Sequence, residues 1–102
     1  MRAYNVVRFK VKPGQEDKFI SAHRIDPGFA GFRGGALVKS GERTYFFVGE
    51  WESQDRLAAA RAAMIGMLDS FRDCLEDLGG ALGKTDPVSG EAVVVLPPTT
   101  TA

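Results

Sequence analysis

The elements read along this chain run β-α-β-β-α-β, which predicts a ferredoxin-like α+β domain: a four-stranded antiparallel sheet with two helices on one face. Three observations carry the prediction. Four short segments are rich in β-branched and aromatic residues and are bounded by Pro and Gly turns. Two segments repeat apolar residues at helical spacing. The two middle strands are joined by the short polar link Ser40-Gly41-Glu42-Arg43, a hairpin signature. A chain of 102 residues holds one domain, expected over 1–96, with a mobile tail over 97–102.

The first strand is read at 4–11, where Val7, Phe9 and Val11 share one face and Val6, Arg8 and Lys10 the other. Lys12-Pro13-Gly14 breaks it. A helix is read over 14–24: Pro13 suits its entry, Glu16 and Asp17 suit the positive end of its dipole, and Phe19 and His23 share a face. Pro27 disfavours helix at Asp26 and ends the segment. The second strand is read at 31–39, with Gly34-Gly35 marking a bulge or a close approach. The third is read at 44–52. Ser53 is an N-cap for a long helix over 54–78, along which Leu57, Ala60, Met64, Leu68, Phe71 and Leu75 recur, with Gly66 as a point where it kinks or splits. Asp86-Pro87-Val88-Ser89-Gly90 reads as a turn, and Ala92 to Leu96 place the fourth strand at 91–96.

The strands are apolar on both faces. Val6 and Val7 are adjacent, and Tyr45, Phe46, Phe47 and Val48 are consecutive. Two helices cover one face only. Leaving Phe46, Val48 and Val6 in water forgoes several kcal/mol at ~25 cal/mol per Å². The economical arrangement is a homodimer packed sheet to sheet; the runner-up is a loop over 79–90 folded across part of that face. Parity puts Tyr45, Phe47, Gly49 and Trp51 on the helix side. It puts Glu50 and Arg8 on the other side, where a cross-strand pair between them competes with two separately solvated charges.

Composition excludes several classes. Thirteen basic residues balance thirteen acidic ones, so there is no net basic face for nucleic acid or for an anionic membrane surface. No apolar run reaches the length of a membrane span, and no apolar segment near the N-terminus reads as a signal peptide. The single cysteine, Cys74, excludes an intrachain disulfide and points to a reduced, cytoplasmic setting. One histidine, one cysteine and scattered carboxylates give no metal-ligand spacing, so no metal is expected.

Several segments together resemble a known family: Val11-Lys-Pro-Gly14 after the first strand, Glu16 to His23 in the first helix, Pro27-Gly-Phe-Ala-Gly-Phe-Arg33 opening the second strand, Val48-Gly-Glu-Trp-Glu-Ser53 leading into the second helix, and Asp86-Pro-Val-Ser-Gly90. Over about residues 4–96 the chain resembles the antibiotic biosynthesis monooxygenase family, small bacterial members included. The resemblance implies a dimeric α/β barrel made of two four-stranded sheets, with a pocket in each subunit between sheet and helices. Some members oxygenate quinols or aromatic polyketides with dioxygen and no metal or flavin; others bind or degrade haem. The haem degraders use a strand-one asparagine, a tryptophan ending strand three and a histidine in helix two. Trp51 matches. The asparagine register falls on Val7, with Asn5 two residues earlier on the same face, and helix two holds no histidine. Haem degradation is therefore disfavoured.

The candidate catalytic residues are His23 and Trp51. A histidine base suits a cofactor-free oxygenase, whose substrate must lose a proton before its anion can give an electron to dioxygen. Trp51 can stack on an aromatic substrate and donate its indole N–H. Asn5, Tyr45, Phe47, Arg61 and Met64 are candidate substrate-binding residues, with Arg33 a second candidate for an anionic oxygen. The competing reading is core packing for Trp51, Tyr45, Phe47 and Met64, interaction with the helix C-terminus for His23, strand-end hydrogen bonding for Asn5, and surface solvation for Arg33 and Arg61. The function implied is a cofactor-independent monooxygenase-like protein acting on an aromatic or quinol-type molecule. The alternative is a non-catalytic dimer that binds a small hydrophobic ligand, or haem without turnover.

Overall fold

The first strand, β1 (Ala3–Lys10), turns Ala3, Asn5, Val7 and Phe9 to one face and Tyr4, Val6 and Arg8 to the other, as its alternation requires. The protein, described here over residues 1–24 and 26–100 of a computed structural model, continues with α1 (Glu16–Ala22), β2 (Phe32–Gly41), β3 (Thr44–Trp51), α2 (Gln54–Ala59), α3 (Arg61–Asp69), a single 3-10 turn at Arg72–Cys74 and β4 (Asp86–Glu91). The sheet is antiparallel with order β2-β3-β1-β4, the ferredoxin-like order. Among the described residues, no helix is long and apolar enough to cross a membrane.

Helices cover the face that carries Trp51, and two apolar clusters form beneath them. One gathers Phe9, Phe19, Tyr45, Phe71, Cys74 and Leu75 under α1 and the 3-10 turn. The other gathers Ala3, Trp51, Leu57 and Ala60 under α2. The expected irregularity at Gly34-Gly35 is present: the register with β3 shifts between Phe32 and Gly34, and a Cβ on Gly35 would lie 2.4 Å from the Val48 carbonyl oxygen.

Four expectations are corrected. The helix read over 54–78 is two short helices and a turn. It breaks at Ala60, whose ψ of −5° ends α2, while Gly66 sits inside α3 without a break. It stops well short of residue 78, because the backbone there bonds to the end of β1 instead: Lys12 N–H donates to the Cys74 carbonyl and Glu76 N–H to the Lys10 carbonyl. The fourth strand lies at 86–91, not 91–96. Cross-strand register decides this, with Val88 opposite Val6 and Arg8 bonded to Asp86 at 3.2 Å. Pro87 is tolerated because β4 is an edge strand. Residues 86–90 therefore belong to the sheet and do not fold across its outer face. Finally, Arg8 takes Asp86 as its partner, and Glu50 instead accepts from the Tyr4 hydroxyl at 2.6 Å and pairs with Arg33 at 3.5 Å.

Candidate functional site

A cavity of about 940 Å³ lies between the covered sheet face and the helices, spanning the gap between the two apolar clusters. Its floor is the inward row of the sheet, including Asn5, Val7, Leu37, Phe47 and Trp51; its roof is α3, through Met64, Met67 and Leu68. No residue of α3 is fully buried: Met67 and Leu68 pack against the first cluster and Met64 against the second, with the cavity between them. An apolar enclosure with few polar groups is the usual build of a small-molecule site.

His23 closes one end. It is the C-cap residue of α1, four residues after Phe19, and its ring lies against those of Phe19 and Phe71 at centroid distances of 4.6 and 4.7 Å, with Phe9 and Phe47 beyond. Nδ1 is 2.8 Å from the Phe19 carbonyl oxygen. A carbonyl only accepts, so Nδ1 carries the proton and the lone pair is on Nε2. Burial outweighs the Phe19 bond and holds the imidazole below its ordinary pKa, so the ring is neutral at pH 7. Among the described residues Nε2 has no hydrogen-bond partner, and it is the nitrogen left for a ligand.

Trp51 and Asn5 build the other end. The indole N–H donates to Asn5 Oδ1 at 2.8 Å with both residues buried. This corrects the expectation that the indole N–H is free for a substrate oxygen. The donor offered to the cavity is instead the Asn5 amide, whose Nδ2 has only the weak contact with Met64 Sδ at 3.9 Å. Space for Asn5 comes from Gly49 opposite it on β3, where a Cβ would lie 2.5 Å from Oδ1. Aromatic rings line the way between the ends: Phe47 is 6.2 Å from His23 and 6.3 Å from Phe32, which is 5.1 Å from Trp51.

The other candidates divide. Phe47, Met64 and Arg61 line the cavity, Arg61 from an exposed position at the start of α3. Tyr45 does not: it packs in the first cluster and donates to Glu16, its hydroxyl held above its ordinary pKa by burial and then by that carboxylate. Arg33 lies on the outer face beside Glu50. Phe29, Phe32 and Arg24 also line the cavity. Sequence reasoning missed all three; the Pro27-Gly28 break that precedes the two phenylalanines was the available signal, since it ties that loop to the sheet's end.

No family model matches the chain, and no curated protein does. Solved structures do. A protein from Chloroflexus aurantiacus provisionally named an antibiotic biosynthesis monooxygenase matches with a TM-score of 0.71 at 11% identity, covering 95% of this chain and 98% of its own. A variant of SnoaB, a cofactor-independent oxygenase from Streptomyces nogalater, matches at 0.72 and 18%, with coverage of 95% and 98%. A similarly named protein from Nitrosomonas europaea matches at 0.72 and 14%, covering 90% of each chain. The fold is that of the antibiotic biosynthesis monooxygenases. Identities this low carry the monooxygenase-like fold and no substrate.

Proposed function

We propose that the protein is a cofactor-independent monooxygenase acting on an aromatic or quinol-type molecule in the cavity between sheet and helices. The observation that carries this is His23: a neutral imidazole with its proton fixed on Nδ1 and its Nε2 lone pair left to an aromatic-lined cavity. That is the requirement for removing a proton from an activated phenol or methylene. For a methylene flanked by aromatic rings, Nε2 takes the proton and the carbanion passes one electron to dioxygen. The radical pair combines to a peroxide anion, the proton on Nε2 returns to it to give the hydroperoxide, and loss of water leaves a carbonyl: R2CH2 + O2 gives R2CO + H2O. The Asn5 amide is the group suited to hold the anionic oxygen, with Trp51 fixing its orientation.

The site is read as working within a homodimer, supported by the apolar outer face that Val6, Phe46 and Val48 leave uncovered. The test is oxygen uptake with 1,8-dihydroxyanthrone. Uptake that depends on His23 supports the enzyme. Saturable binding with no uptake leaves the non-catalytic binding dimer, and a Soret shift with hemin in place of either leaves haem binding.

A further inference from the structure

One row of the sheet floor carries no apolar side chain. Across the four strands, Gly35 of β2 pairs with Gly49 of β3, Gly49 with Asn5 of β1, and Asn5 with Ser89 of β4. The next row, Leu37, Phe47, Val7 and Pro87, is wholly apolar. The glycine half is already roofed, since a Cβ on Gly35 or Gly49 would lie 3.3 or 3.2 Å from the ring of Phe32. The open half is Asn5 and Ser89, and both line the cavity.

The Asn5 amide is turned by its surroundings. Oδ1 accepts from Trp51 Nε1 and fills the space above Gly49, so it faces β3. The planar amide therefore turns Nδ2 away from β3, on the side of β4 and α3. There its contact among the described residues is the Met64 thioether at 3.9 Å, a weak acceptor for a strong donor on a side chain only 7% exposed. Ser89 stands directly opposite on β4, and side chains paired in this way have Cβ atoms about 4.5–5.5 Å apart. Ser89 is exposed, and its hydroxyl has no hydrogen-bond partner among the described residues.

We propose that Ser89 binds the ligand, forming with Asn5 a two-donor seat for one ketone oxygen on the ligand's aromatic rings. This rests on the cavity being the site described above and adds a residue of β4 to it. A carbonyl oxygen has two lone pairs in the plane of its substituents, so it accepts from Asn5 Nδ2 and from the Ser89 hydroxyl together. The Asn5 donor gains an oxygen in place of a sulfur, and the serine hydroxyl rotates to suit, giving up water at the cavity's edge. Glu91, two residues on along the same face of β4, sets a carboxylate at the exposed end of the sheet, so the oxygen that enters is uncharged. The same carbonyl one row along would face only apolar side chains and stay unpaired. The ligand's orientation on the floor thus follows from a single row.

The probes are 9-fluorenone, whose one polar atom is its carbonyl oxygen, and fluorene, the same rings without it. In equilibrium dialysis Ser89→Ala should weaken fluorenone roughly two- to tenfold and leave fluorene unchanged, while Ser89→Thr keeps the hydroxyl and the affinity. Isotope-edited infrared spectra should place the stretch of bound fluorenone below its position in hexane, and Ser89→Ala should move it part of the way back. Ser89 is exposed on an edge strand, and thermal melts check that the fold is intact. Affinity and stretch indifferent to Ser89→Ala, an equal loss for both probes, or no binding of fluorenone overturns the proposal. The two readings fail separately. His23-dependent oxygen uptake from 1,8-dihydroxyanthrone with a stretch indifferent to Ser89 removes the seat and keeps the oxygenase. A Ser89-dependent stretch without uptake does the reverse.

Discussion

The indole N–H of Trp51 donates to Oδ1 of Asn5 across 2.8 Å, joining the end of β3 to the start of β1 beneath α2. Both residues are buried, and Trp51 has no exposed surface, so its indole N–H cannot turn to water instead. Asn5→Ala leaves the indole N–H unpaired, a loss of about 1–3 kcal/mol. Trp51→Phe leaves Oδ1 unpaired and opens space beside Leu57. A double-mutant cycle by urea unfolding should give a coupling of roughly 0.5–3 kcal/mol. Strict additivity would mean that the bond contributes nothing to stability.

Gly49 should be intolerant for a reason located in Asn5. An alanine methyl there would meet Oδ1 at 2.5 Å and Phe47 Cε2 at 3.0 Å. Gly49→Ala should cost about 1–3 kcal/mol by overpacking. Adding Asn5→Ala removes the nearer obstacle, so the double variant should be less unstable than the two losses combined. Full additivity in the same unfolding series would place the strain elsewhere.

His23 makes both activity and stability depend on acidity. Its pKa in the fold lies below the ordinary 6.5, chiefly through burial. As pH falls below about 6.5 the unfolded chain takes up the proton first, so folding stability declines on acidification until the folded imidazole is also protonated. His23→Gln should flatten that slope while leaving stability near pH 8 less affected. If oxygenation uses this base, the acid limb of kcat/KM falls below pH 6.5, tracking the lowered value. An acid limb at or above 6.5 would assign the base to another group.

How much was legible follows from which forces are local. Alternation in 4–11 and 44–52 puts Phe47 with Trp51 and Val7 with Phe9 on shared faces, because side-chain parity needs no tertiary information; which face is covered is set by helix packing, on the Trp51 side. Apolar content at Ala92 to Leu96 points to a fourth strand there, but apolar content is not what places it. Its actual position is set by pairing, where Val88 meets Val6 and Asp86 meets Arg8. The long helix failed similarly: the spacing through Leu75 is apolar and periodic, yet Leu75 bridges Val11 in extended backbone. At the site, His23 and Phe19 were joined by their four-residue spacing. The Asn5–Trp51 bond was not, since it spans 46 positions along the chain.

The outer sheet face gives the last prediction. Val6, Phe46, Val48 and Val88 lie in adjacent register on β1, β3 and β4, and Val88 is 62% exposed. Beyond β4, Val93, Val94 and Leu96 are also exposed, at 89%, 73% and 82%. Burying one such side chain is worth roughly 1.5–3 kcal/mol, and a two-fold interface counts each change twice. Phe46→Asp should therefore weaken self-association by at least a hundredfold, on the order of 3 kcal/mol. Light scattering after size exclusion at micromolar concentration should show a dimer for the unaltered chain and a monomer for Phe46→Asp. Truncation after Ala92 separates the tail from the sheet: if the face alone makes the interface, the truncated chain stays dimeric. A monomeric unaltered chain at high micromolar concentration would remove the dimer from the proposed function, leaving the apolar face without the partner its composition calls for.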